Sequence, residues 1–268
     1  MSGWQNILVE RDGNLGRITL NRPQARNPLD NVTAKEILRA MEQHFADDAV
    51  RSIVITGAGD AFCAGGDLRQ MNQFRDMPAA EALDWPSAIV AAHKRMLTAE
   101  KPVIAAVNGP ASAGGMGLAG MCDVVLATQS ATFAMPEAKI GLFPMIIVAQ
   151  LSRSIPRKLL LEMMMTGDAI DAAEAHRVGF VNRVATDLPD LEALVQSYAK
   201  RFARVSPTAV ALGRRTFTLL SDMPASQALD AAQFFNLPFF LGDDLREGAN
   251  AFLEKRLPEW PPYRSGDN

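Results

Sequence analysis

Two glycine pairs and one glutamate are the residues of this sequence whose types and spacing suit chemistry: Gly65-Gly66, Gly114-Gly115 and Glu137. Each pair follows a short apolar run that reads as a strand. Glycine there suits close backbone approach or positive φ. Two backbone N–H groups, one from each loop, converging on a single oxygen would stabilise a developing oxyanion. Gly114 stands where the apolar stretch Met116 to Met121 begins to read as a helix. The first N–H groups of a helix have no partners inside it, and the dipole there favours negative charge. Glu137 follows Met135-Pro136 and precedes Ala138. Those neighbours suit a partly desolvated carboxyl with its pKa raised toward a base's range. A solvated turn residue is the other reading, and the residues alone leave both open.

Rival chemistries fit less well. Gly115-x-Gly117-x-x-Gly120 has the letters of a dinucleotide-binding turn, with Glu137 twenty positions past Gly117. Such a turn puts its first glycine directly after the strand. Here Gly115 lies eight positions past Val107, with Pro110 between them, and Glu137 follows a turn-like break instead of ending a strand. Ser112 sits in a strand-to-helix loop, but Pro110-Ala111-Ser112-Ala113-Gly114 lacks the first glycine of a nucleophile elbow. No phosphate-binding G-x-x-x-x-G-K-[ST] occurs. His44 and His93 fall on predicted helices and His176 precedes Arg177-Val178-Gly179, none with a metal or triad partner at a recognisable spacing. Cys63 and Cys122 lie in apolar surroundings and read as buried free thiols of a reducing compartment.

The elements that must hold these residues alternate strand and helix. Ile7 to Glu10 and Gly16 to Leu20 flank Asp12-Gly13-Asn14 as a hairpin. Thr33 and Glu36 are spaced as a capping box before a helix carrying Leu38, Met41 and Phe45. Arg51 to Thr56 and Val103 to Val107 are strands, and each runs into a glycine-rich loop. Residues 68–86, with Met71, Phe74, Met77 and Trp85, suit either a soft apolar lid or an ordinary surface helix. Pro86 can start a helix bearing Ile89, Ala92 and Met96. Asp123 to Ala127 and Ala131 to Ala134 read as further strands, and Ile140 to Pro144 as a turn. Strand signals stop near residue 190. Helical ones continue, with Ser206-Pro207 as cap and first turn.

At 268 residues the chain can bury a full core, and 48% apolar with 21% charged residues is ordinary for a globular enzyme. A net charge of −3 gives no nucleic-acid footprint. Nothing approaches a run of about eighteen apolar residues, and MSGWQNILVERDG lacks the pattern of a secretory leader. A cytoplasmic enzyme with no membrane partner is expected.

Together these stretches resemble the crotonase superfamily, also called enoyl-CoA hydratase/isomerase, from about Ile7 to Trp260. The motifs are Leu20 to Pro23, Ala61 to Leu68, Val107-Asn108-Gly109 with Gly114-Gly115, Met121 to Asp123, Pro136-Glu137, Leu161 to Asp168, and Glu247-Gly248 with Phe252 to Arg256. The resemblance implies an α/β fold, a crotonase-like spiral of ββα units over residues 1–190. A C-terminal helical trimerisation region over 191–268 follows, with assembly as a homotrimer or homohexamer. It implies an acyl-CoA thioester substrate and no metal or redox cofactor. Glu137, Gly66 and Gly114 match the catalytic positions, the two glycines as the oxyanion hole. Ala25, Arg26, Ala64, Gly65, Asp67, Leu68 and Gly115 match substrate-binding positions, with Ala25-Arg26 meeting the CoA nucleotide. Phe252 and Lys255 match tail residues that reach a neighbouring subunit's CoA site.

One position departs from the family's best-known hydratases, though other hydratases of the family look similar there. The best-known ones carry a second glutamate in the helix after the glycines, where this chain has Gly117. A single glutamate suits a Δ3,Δ2-enoyl-CoA isomerase, two suit syn addition of water. Enoyl-CoA hydratase is the first expectation, the isomerase the alternative, and a non-catalytic CoA-thioester binding protein the third. Glu81 or Asp84 could supply a second acid. A side chain at 117 should reach the reacting carbons, so Gly117→Glu should restore the two-carboxylate arrangement and mildly favour the helix.

Overall fold

The computed structural model describes residues 3–261 and residue 263. The chain opens with a hairpin of β1 (Ile7–Asp12) and β2 (Leu15–Leu20), paired Asp12 to Leu15 at the tip, where Gly13 takes φ +57°. β3 (Ser52–Gly57), β4 (Val103–Val107), β5 (Ala111–Ser112), β6 (Val124–Thr128), β7 (Thr132–Ala134), β8 (Ile170–Asp171) and β9 (Arg183–Ala185) follow. The larger sheet runs β1-β2-β3-β4-β6-β9, antiparallel at the hairpin and parallel from β2 onward. The smaller sheet is β5-β7-β8. This is the expected α/β architecture.

Parallel strands covered on both faces read as continuous apolar runs, and β4 and β6 are buried at every position. Alternation decides which layer each residue joins. Ile53, Ile55, Val103 and Ala105 face the main core with Met116, Leu118, Phe133 and Phe180. Val54, Ile104 and Leu126 face the other way, where helix Leu188–Ala203 lays Leu191, Val195 and Ala199 on them. At roughly 1.5–3 kcal/mol per fully buried large aliphatic side chain, these two layers dominate the fold's stability.

Helix Asn31–Ala46 forms where expected, but its cap differs. Asp30 accepts from the Thr33 N–H at 2.7 Å. Glu36 cannot close a capping box because its carboxylate is taken by the backbone N–H groups of Gln5 and Asn6, at 2.6 and 2.8 Å. Ser206 caps helix Pro207–Ser221 as read from the sequence, accepting from Ala209 N–H at 2.8 Å. Helices Ala225–Phe235, Leu237–Leu241 and Asp243–Leu253 complete the tail. Among the described residues no helix is long and apolar enough to cross a membrane.

Candidate active site

The two glycine loops are sewn together before any ligand is considered. Asn108 accepts from Gly57 N–H at 3.1 Å and donates to the Gly59 carbonyl at 3.0 Å, tying the end of β4 to the end of β3. Phe62 N–H and Cys63 N–H donate to the Pro110 carbonyl, and Ser112 N–H donates to that of Cys63. The missing side chains make the approach feasible. A β-carbon on Gly65, which takes φ +89°, would lie 2.6 Å from the Ala113 β-carbon; one on Gly115 would lie 2.3 Å from the Cys63 carbonyl oxygen.

Helix Gly114–Gly120 begins immediately after Ala113, a non-glycine residue at φ +50°. That strained backbone is held by Ala113 N–H donating to the Ala134 carbonyl at 2.9 Å. Ala134 ends β7, and Met135-Pro136 then carry the chain into the 3-10 turn Pro136–Ile140 that bears Glu137. One strand end thus orients both the Gly114 helix and the glutamate.

The outcome is a mostly apolar cavity of about 450 Å³ lined by Ala64, Gly66, Leu68, Gly114 and Glu137 among others. Gly66 and Gly114 stand side by side on it: a β-carbon built on Gly114 would be 3.9 Å from the Gly66 nitrogen. Among the described residues neither N–H donates to any carbonyl or side chain. Two free donors beside each other in an apolar cavity can hold an oxyanion at little reorganisation cost. Glu137 is half-buried, and desolvation pushes its carboxyl above the ordinary range, opposed by a hydrogen bond from its own backbone N–H. Its Oε2 is buried and unpartnered. The solvated-turn reading is therefore replaced by the desolvated one.

Segment 68–86 roofs the cavity through Leu68, Met71, Phe74 and Trp85. Phe74 and Trp85 meet edge to face at 4.7 Å, and none of the segment's helical residues is fully buried. The Met71 methyl lies over Gly66, 2.2 Å from where a β-carbon would stand. That is the form of an apolar lid. Glu81 and Asp84 do not line the cavity; both are exposed, and Asp84 accepts from the Ser87 hydroxyl at 2.8 Å.

The remaining sequence-selected residues do not line the cavity. Gly65 and Gly115 serve the loop approach described above. Asp67 caps the short helix Leu68–Met71 and pairs with Arg22 at 3.1 Å. Ala25 ends the 3-10 turn Pro23–Ala25, and Arg26 follows at φ +58°, its carbonyl accepting from Ala64 N–H at 2.9 Å. Phe252 is 83% exposed near the end of helix Asp243–Leu253, with Lys255 just beyond it.

Gly117 corrects the sequence reading. A β-carbon there would lie 2.1 Å from Ile147 Cγ2, so Ile147 occupies the space a side chain at 117 would enter. Substitution should cost stability instead of adding to it. The residue that sequence reasoning undervalued is His93. It lines the cavity from helix Ser87–Leu97, one turn after Ile89 and in register with it, so the helical spacing from Ile89 was the available signal. Among the described residues, no cluster of three or more His, Cys, Asp or Glu could hold a metal ion.

A family model described as enoyl-CoA hydratase/isomerase matches residues 10–262. The chain belongs to the enoyl-CoA hydratase/isomerase family. Within it, the enoyl-CoA hydratase EchA19 of Mycobacterium tuberculosis is 38% identical over 263 residues, spanning 95% of this chain and 96% of that one. The solved enoyl-CoA hydratase of Mycobacterium smegmatis superposes with a TM-score of 0.88 at 33% identity, covering 96% of this chain and 99% of that one. That of Polaromonas sp. JS666 gives 0.90 at 31%, covering 95% and 99%. This enoyl-CoA hydratase/isomerase family enzyme thus keeps the whole family fold, with Gly66, Gly114 and Glu137 gathered on one cavity.

Proposed function

We propose that the enzyme adds water across the double bond of a 2-enoyl-CoA thioester. The observation that carries this reading is the pair of unpartnered N–H groups, Gly66 and Gly114, on the same cavity as a desolvated Glu137. Water attacks the β-carbon while the Glu137 carboxylate takes one of its protons. The π electrons move onto the thioester oxygen, whose charge the two N–H groups hold. The enolate then takes the proton from Glu137 at the α-carbon, and the carboxylate is restored. The addition is redox-neutral and Glu137 carries the proton, so the reading requires nothing beyond the coenzyme A of the substrate. The names of the relatives above support the same reaction.

With Asp30 held by Arg22 and its helix cap, and Ile147 filling position 117, Glu137 is the cavity carboxyl left for proton transfer among the described residues. This also favours a second reading, Δ3,Δ2-enoyl-CoA isomerisation, in which Glu137 moves one proton along the allylic system. Crotonyl-CoA tests both. Loss of the conjugated-thioester absorbance is the expected result; its appearance from a 3-enoyl-CoA, with crotonyl-CoA untouched, replaces hydration by isomerisation. No change with either, despite binding, leaves a CoA-thioester binding protein.

In this reading Arg26 and Ala25 meet the CoA nucleotide, where an exposed guanidinium suits phosphate. Residues 1–190, with the rest of helix Leu188–Ala203 packed on their sheet, form the catalytic core, and the residues after that helix the assembly region. The tail exposes Phe234, Phe240, Phe252 and Leu253 at 64–83%. Such a run of exposed apolar residues supports burial against other copies in a homotrimer or homohexamer, bringing Phe252 and Lys255 to a neighbour's CoA. Two buried free thiols, Cys63 and Cys122, fit a cytoplasmic setting.

A further inference from the structure

Four ionisable side chains line the cavity: Asp30, His93, Glu137 and Lys139. Asp30 is committed to the Arg22 guanidinium and to its helix cap, and Lys139 to Asp168 and the Gly167 carbonyl. His93 and Glu137 remain, and both carry a buried polar atom, His93 Nε2 and Glu137 Oε2, with no partner among the described residues. His93 is only 7% exposed. Buried polar atoms are normally satisfied, so two orphans on one apolar cavity point to a shared polar visitor.

The place of the imidazole is informative. Its Cε1 lies 3.8 Å from a β-carbon built on Gly117, while Ile147 blocks that β-carbon itself. Where a carboxylate at 117 is sterically excluded, a histidine from the neighbouring helix fills the adjacent space. We propose that His93 hydrogen-bonds the water that adds to the enoyl-CoA, supplying the second polar contact that Gly117 lacks. The inference rests on the hydratase reading above.

No net proton moves to His93. The water gives one proton to Glu137, which later delivers it to the α-carbon. Its other O–H points to the imidazole and remains on the product as the new hydroxyl. Burial holds the ring's pKa down to about 4, so at neutral pH it is uncharged, with one nitrogen accepting and the other donating. A neutral acceptor can orient water without competing with Glu137 for the proton.

The test compares His93→Leu with His93→Gln, which keeps a neutral hydrogen-bonding group. The leucine variant should lose ~30–100-fold in kcat for crotonyl-CoA hydration with KM little changed, and the glutamine variant should recover at least about a third of wild-type kcat. Exchange of the butyryl-CoA α-proton in D2O, which needs Glu137 and the oxyanion donors but no attacking water, should stay near wild type in both. In Glu137→Gln protein, which should hold ligands without converting them, the His93 imidazole nitrogen signals should shift more with 3-hydroxybutyryl-CoA than with butyryl-CoA, which lacks the hydroxyl. Wild-type hydration with a folded His93→Leu that hydrates normally overturns this inference alone, as do equal shifts with the two ligands should the leucine variant not fold. A wild type that does not hydrate crotonyl-CoA overturns the hydratase reading, and the role of His93 with it.

Discussion

In the proposed reaction, Glu137 is where burial becomes chemistry. Its base form is needed to take a proton, and desolvation raises its pKa from the ordinary carboxylate value. The acid limb of kcat/KM should therefore lie above about pH 4.3, the reference for an unperturbed glutamate, with activity falling as pH drops through the raised pKa. Glu137→Gln should remove that limb and lower kcat at least ~10²-fold with CoA affinity little changed. A variant with near-native kcat would take Glu137 out of the mechanism. Gly117 is a second residue-scale case. Gly117→Ala should cost about 1–3 kcal/mol, because the new β-carbon would stand 2.1 Å from Ile147 Cγ2 and Ile147 cannot give way cheaply. Ile147→Ala should recover part of that loss in the double variant, and the coupling in a denaturation cycle measures the clash. Additive losses would mean that the two side chains do not meet.

At the scale of elements, the proposed oxyanion hole depends on how closely two loops lie. Gly65 and Gly114 are neighbouring glycines with different constraints. Gly65 has φ +89° and a β-carbon there would lie 2.6 Å from that of Ala113, whereas one on Gly114 would meet nothing nearer than Leu29 Cδ1, at 3.4 Å. Gly65→Ala should lower kcat and thermal stability together, by pushing the Gly66 N–H away from that of Gly114. Gly114→Ala should be mild because the N–H survives. Gly114→Pro removes the donor outright and should cost ~10²–10³ in kcat. Thermal melts and steady-state kinetics on the three variants give the ranking. A folded, fully active proline variant would refute the oxyanion assignment.

For the whole molecule, the proposed assembly rests on the apolar side chains that the tail exposes. Phe240, Leu241, Phe252 and Leu253 are each at least 64% exposed, and burying side chains of this size contributes roughly 1.5–3 kcal/mol apiece. A chain ending at Leu241 should lose assembly and CoA affinity together, since it loses Phe252 and Lys255 as well as helix Asp243–Leu253. Light scattering and a CoA titration would report the two. A truncated protein that still assembles and binds CoA normally contradicts this use of the tail.

Sequence alone determined the parts of this protein that are local. The hairpin around Gly13, the strand-loop-helix passage from Val103 through Gly114 and the cap at Ser206 follow from period, turn chemistry and capping preferences that act within a few residues. Glycine placement also showed which loops would approach something closely. Tertiary structure decided what met what. The Thr33–Glu36 spacing satisfied the capping rule, yet Glu36 was drawn to the N–H groups of Gln5 and Asn6, some thirty residues earlier, and Asp30 took the cap. Gly65 and Gly115 proved to be clearances for backbone packing, visible only once Ala113 and Cys63 stood opposite them. His93 had no partner along the chain because its companions, Gly117, Glu137 and Ile147, arrive from other elements. Local propensity is written residue by residue. Desolvation and steric exclusion arise only when distant segments share one small volume, and here they raise the Glu137 pKa, keep His93 neutral and close position 117 to a carboxylate.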